Sequence, residues 1–86
     1  MAIKLGSWRV SYASSWSTIY QGSDKHRFRI SGPNQKDGEL LVKTDSTRTP
    51  GKLVHGETMD VAGKKITIKK ERGKSSWITG NYEALD

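Results

Sequence analysis

Cysteine is absent from this chain of 86 residues, which excludes the disulfide framework and the thiolate zinc site that usually reinforce so small a fold. The core must hold by packing alone. Long apolar runs are missing too. The longest purely aliphatic run is Leu40-Leu41-Val42, and the amino-terminal letters MAIKLGSW contain no apolar signal core. Neither a signal peptide nor a membrane span is expected, and the default address is cytoplasmic. No window carries apolar residues at helical spacing over three turns, so little or no helix is expected. Phenylalanine occurs once, against three tryptophans and three tyrosines. The indoles must therefore supply much of the core, Trp8 first among them. A chain of this length makes one domain, residues 1–86, with a small core and no room for a deep substrate cavity.

What is present is period-2 alternation bounded by turn residues. In ETMDVAGKKITIKK, Glu57 to Lys70, a two-residue loop at Gly63-Lys64 makes a β-hairpin with Val61 opposite Ile66 and Met59 opposite Ile68. One face of that ribbon is dry; the other carries Thr58, Asp60, Thr67 and Lys69. Ahead of it, Ile3 to Tyr12 alternates through Trp8, Val10 and Tyr12, and Gly6 interrupts the run early. Ser17 to Tyr20 suggests a short strand before a turn at Gln21 to Asp24. HRFRIS, His26 to Ser31, puts Phe28 and Ile30 inward and Arg27 and Arg29 outward. Leu40 and Val42 continue the inward face beyond Gly32-Pro33-Asn34, and opposing Phe28 to Val42 and Ile30 to Leu40 makes a second hairpin. Leu41 points the other way and asks for cover. DSTRTPG, Asp45 to Gly51, is a loop; Lys52 to His55 is a short strand, and Ser75 to Tyr82 is a last strand broken at Gly80. The echo of Ser14-Ser15-Trp16 in Ser75-Ser76-Trp77 has no sustained period behind it. Six to eight short strands joined by close turns predict an all-β domain, mostly antiparallel, as a small barrel or a two-sheet sandwich.

Catalytic signatures are missing. Serines are many, but His26 and His55 are the only histidines and no Gly-x-Ser-x-Gly elbow occurs, so no base is placed beside a nucleophile. Two distant histidines do not form a metal motif, and an edge or solvent-facing position is expected for each. Gly73-Lys74-Ser75 matches the end of a phosphate-binding loop, yet Ile68 stands where its first glycine belongs. Gly73 still leaves room for backbone N–H groups to approach an anion. No enzyme, cofactor or metal is expected.

The net charge of +6 is unevenly spread. Lys64 to Lys74 holds six basic residues and one acidic, and Lys25 to Ile30 holds three basic and none acidic. Alternating lysines on an exposed strand serve solubility and edge protection, and they serve equally as a binding face. A basic face with exposed rings suits nucleic acid, single-stranded above duplex because no recognition helix is available. The candidate residues are Lys65, Lys69, Lys70, Arg72 and Lys74, with Arg27 and Arg29 extending the track if their strand is a neighbour, and Trp16 or Trp77 stacking on a base. Two other classes fit the same letters. A carbohydrate-binding module would use exposed Trp and Tyr with Gln21 and Asn81 nearby. A structural or assembly protein would meet a partner through a sheet edge or Leu41.

Overall fold

A computed structural model describes residues 4–11, 16–47 and 49–85. Six antiparallel strands form one sheet curled as a half-barrel: β1 (Lys4–Ser11), β2 (Ser17–Ser31), β3 (Glu39–Thr44), β4 (Gly51–Val54), β5 (Thr58–Arg72) and β6 (Trp77–Ala84). Their order across the sheet is β1-β6-β2-β5-β3-β4. None of the described residues is helical, and no helix among them is long and apolar enough to cross a membrane.

Alternation sets the two faces. Trp8, Val10, Phe28, Ile30, Leu40 and Val42 are all buried on the inner face, as their spacing predicts, joined there by Leu53 and Ile78, and Arg9, Arg27 and Arg29 are exposed on the outer. Ile66 and Ile68 complete the core from β5. Tyr12, assigned inward from the sequence, lies outside the described residues. Gly80 does not break β6; it lies inside the strand, where the Trp8 indole covers it and its Nε1 donates to the Ser31 carbonyl at 3.3 Å.

The hairpin predicted at Gly63-Lys64 is not formed. β5 runs unbroken from Thr58 to Arg72, and Gly63 is buried without a positive φ. The reversal instead precedes β5, where the Glu57 N–H donates to the Val54 carbonyl at 3.1 Å and Gly56 supplies the positive φ of 86°. The sequence misleads here for a definite reason. Met59 and Val61 face inward at odd positions, and Ile66, Ile68 and Lys70 at even ones, so the pattern contains a phase slip. A two-residue hairpin loop produces that slip, and so does a bulge inside a continuous strand. β5 uses the bulge.

Asp45 holds it. Its Oδ1 accepts from the Lys64 N–H at 2.9 Å and the Lys65 N–H at 3.4 Å, and its own N–H donates to the Lys65 carbonyl at 3.1 Å. Gly63 is required because a Cβ there would overlap that same Oδ1. β2 bulges at the matching point: Gln21 pairs with Lys65 and His26 with Gly63, so Gly22 to Lys25 stand off the ladder opposite Lys64. Tyr20 ties the protruding segment down by donating its hydroxyl to the Asp24 carbonyl at 2.8 Å. The segments predicted as separate, Ser17 to Tyr20 and His26 to Ser31, are thus one bulged strand.

Strand partners also differ from the second predicted hairpin. Phe28 and Ile30 oppose Val61 and Met59 on β5, and Ala84 and Tyr82 on β6. Leu40 and Val42 oppose Lys70 and Ile68 on one side, and Leu53 and Gly51 on the other. β5 is long enough to lie between β2 and β3, which a short hairpin arm could not do.

Gly63→Ala is expected to lower stability by about 1–3 kcal/mol, because the added methyl displaces the Asp45 carboxylate from two backbone donors. The cost should shrink in an Asp45→Ala background, where the shared partner is gone. Thermal melts of the two single variants and the double variant measure this; equal costs in both backgrounds would contradict the clamp.

Candidate polyanion interface

β2 and β5 are neighbours, so the condition for joining the two basic stretches is met, but the register keeps them apart. Arg27 lies opposite Ala62 and Arg29 opposite Asp60, on the half of β5 that precedes the bulge. Arg29 grips Asp60 with a fork, Nε to Oδ1 at 2.8 Å and Nη2 to Oδ2 at 3.2 Å, and Glu83 stands 3.8 Å from Nη1. The Arg27 Nη2 reaches the Leu85 carbonyl at 3.5 Å. On this half of the outer face Arg29 is already matched by carboxylates and Arg27 reaches a backbone carbonyl. A track extended through Arg29 would have to share its guanidinium with Asp60.

Beyond the bulge the outer face is different. Lys65 lies beside Gln21, and Thr67 beside Thr18 on β2. On the other side Lys43 opposes Thr67, Leu41 opposes Lys69, and Lys52 of β4 opposes Leu41. Lys43, Lys52, Lys65 and Lys69 therefore gather across three strands, although they are scattered in sequence. Trp16, just before β2, lies over this surface: the Lys43 Nζ is 4.5 Å from its ring centroid and the Lys69 Nζ is 5.9 Å away. The half-buried Leu41 stands between Lys52 and Lys69 across the ladder. Glu39 sits at the margin, 3.4 Å from the Lys52 ammonium and 3.9 Å from Arg72, whose side chain is otherwise open to solvent.

The other tryptophan outside the core repeats the arrangement. Trp77 is 44% exposed, and the Arg9 guanidinium lies 4.0 Å from the ring centroid, a stacked cation–π contact on the outer face of β1 and β6. Sequence reasoning named Trp16 and Trp77 but missed Lys43, Lys52 and Arg9. Each sits singly in its own strand, and only the strand order reveals the company it keeps.

Two further candidates change role. Lys70 is 5% exposed, on the inner face at the even phase of Ile66 and Ile68, and its Nζ donates to the Ser75 carbonyl at 2.6 Å. It pins the β5–β6 connection and does not face a ligand on the outer surface. Lys74 is exposed in that connection, and its N–H donates to the Asp37 carboxylate at 2.9 Å. The anion that approaches the backbone after Gly73 is thus the protein's own. The depression there combines Asp37 and Glu71 with Arg72 and Lys74, a mixed-charge surface.

His55 is exposed with its Nδ1 2.8 Å from the Pro33 carbonyl. His26 is not the edge residue expected; it is half-buried against Tyr20, ring centroids 5.1 Å apart. Among the described residues no three His, Asp or Glu side chains stand close enough to hold a metal ion. No family model matches the chain, and no curated protein or solved structure shows significant similarity to it.

Two acid-dependent contacts generate a pH prediction. The Arg29 hydrogen bond, aided by the Arg29 charge, outweighs burial and holds Asp60 below the ordinary 3.8; for Asp45 burial pushes upward, but the backbone donors of Lys64 and Lys65 prevail and the net shift is downward. Carboxyls depressed by folding contribute stability that is complete above their unfolded value and disappears as pH falls through the folded one. Stability should therefore fall below about pH 4, and Asp45→Asn with Asp60→Asn should flatten that fall in denaturant titrations at stepped pH. Lys70→Ala should lower stability by about 2 kcal/mol while leaving the affinity of the folded protein for a polyanion unchanged.

Proposed function

We propose that the protein is a non-enzymatic binding module that holds a polyanion, single-stranded nucleic acid foremost, on the outer face of its sheet. One observation carries this reading: both tryptophans outside the core lie on the outer face in contact with basic side chains, Trp16 with Lys43 and Lys69, Trp77 with Arg9. A ring beside a fixed cation is the pairing that single strands use, the ring for a base and the cation for the adjoining phosphate. The lysine half of the face supplies the charge. Lys43, Lys65 and Lys69 form its centre, with Lys52 and Arg72 toward Glu39.

The alternatives draw less support from the same surface. A neutral sugar needs acceptors and donors around its ring platform, and Trp77 has a guanidinium over it. An assembly contact through Leu41 would require an apolar patch, and Leu41 is flanked across the ladder by Lys52 and Lys69. Barrel-like curvature suits the binding role as well, since it spreads the outer-face side chains along a convex track.

Tryptophan fluorescence during titration with a mixed-sequence single-stranded oligonucleotide tests the proposal. With about four phosphate contacts, affinity should fall about fifty-fold between 50 and 200 mM salt. Lys43→Gln with Lys69→Gln should reduce the logarithmic salt slope by about 1.4, two contacts' worth. A salt-insensitive fluorescence change with oligosaccharide would favour the carbohydrate class, and size that grows with concentration without any ligand would favour assembly.

A further inference from the structure

The half-barrel closes well around the Trp8, Ile30 and Ile78 side chains but opens near the bulges. There a cavity of about 300 Å³ is lined by Ile19, Tyr20, His26, Phe28, Tyr82 and Ala84. Four of these six are rings. Tyr20 lies 5.2 Å from Phe28, and Phe28 lies 5.9 Å from Tyr82, each tilted, while Tyr20 meets His26 nearly at right angles. The Tyr20 hydroxyl is anchored on the Asp24 carbonyl at 2.8 Å, which fixes that ring in place.

We infer that this cavity is a binding site for one unpaired nucleobase. Its volume lies at the lower end of the range of small-molecule sites, enough for a single flat ring system and too little for a larger ligand. Its walls are aromatic faces and edges, with the His26 imidazole as the polar ring among them, so the lining is a stacking surface. Its surroundings favour an anionic ligand. Lys25 precedes His26 in the β2 bulge, Lys64 stands opposite that bulge, and both are exposed. Asp24 and Asp45 are the acidic residues beside them: the Asp24 carbonyl anchors Tyr20, and the Asp45 carboxylate accepts from the Lys64 N–H. A base carrying a phosphate complements the exposed Lys25 ammonium, with which a neutral sugar makes no ion pair.

The position also relates the cavity to the outer face. Trp16 and Tyr20 are separated by about 13 Å along an extended strand, and β2 shifts its register between Thr18 and Tyr20. A single strand lying over Trp16, Lys43 and Lys69 can place a neighbouring base at the open end. In that respect the inference rests on the polyanion reading, but the ring site is tested separately from it.

The experiment is an NMR titration of isotopically labelled protein with adenosine and uridine 5′-monophosphate, and in parallel with a neutral trisaccharide. Saturable shifts of the Tyr20, His26 and Tyr82 ring signals and of the Ala84 methyl, with a dissociation constant near 1 mM or below for the nucleotides (about −4 kcal/mol by the standard conversion), support the site. Ala84→Leu, which fills the cavity from its wall, should weaken nucleotide binding at least tenfold. Tyr82→Leu should do the same by removing one ring while keeping apolar bulk, and dispersed amide spectra identify whichever variant remains folded. Lys43→Gln with Lys69→Gln should leave the mononucleotide shifts unchanged even where oligonucleotide affinity is lost, so failure of the outer-face track is distinguishable from failure of the cavity. Shifts produced by the trisaccharide and not by nucleotides, or none at these signals from any ligand, would overturn the assignment.

Discussion

The carboxylate of Asp45 determines where β5 changes phase, and nearly every other feature of the fold depends on that point. A strand whose inward residues switch from odd to even positions must leave backbone N–H groups off the ladder at the switch. Lys64 and Lys65 supply those groups and Asp45 takes both. Because Gly63 has no side chain, the carboxylate can stand against the strand. The bulge of β2 faces the same place, so two long strands turn together and the sheet curls instead of remaining flat. Without the curl, β5 could not lie beside both β2 and β3 while its two halves contribute Met59 and Val61, then Ile66 and Ile68, to one interior.

The bend also divides the charges. Before it, Asp60 follows the inward Met59 and precedes Val61, so it faces outward and meets Arg29. After it, Lys65, Thr67 and Lys69 face outward, and the one carboxylate of that half-strand, Glu71, comes only at its far end. A uniform strand would have mixed these groups. The phase change instead leaves one half of the outer face internally matched and the other half basic, and it is over the basic half that Trp16 lies. Electrostatic character here follows from backbone register, not from the number of lysines.

Much of the fold was legible because alternation is local. Trp8 with Val10, Phe28 with Ile30, and Leu40 with Val42 announce their faces within a few letters, and absence of helical spacing is equally local. Pairing is not. The sequence offers no means of distinguishing a hairpin loop from a bulge at Gly63-Lys64, since both shift the phase identically. Neither does it reveal that β5 separates β2 from β3. Of the candidate site, the rings Trp16 and Trp77 could be named, while Lys43, Lys52 and Arg9 could not, because a single cation between apolar neighbours is an ordinary strand residue until its cross-strand partners are known.

Lys70 shows why proximity in sequence is a poor guide to a charged surface. It belongs to the most basic stretch of the chain, yet period-2 counting from Ile66 and Ile68 places it inward, and there its long stem lies in the interior while the ammonium donates to Ser75. Its neighbours in the same stretch have other roles: Lys64 and Lys65 flank the bulge, Arg72 stands near Glu39, and Lys74 gives its N–H to Asp37. Within that stretch Lys69 stands against a ring, and it reaches Trp16 together with Lys43 from another strand. The surface that can meet an anion is therefore assembled across the ladder, so its strength depends on the curl held by Asp45 as much as on the lysines themselves.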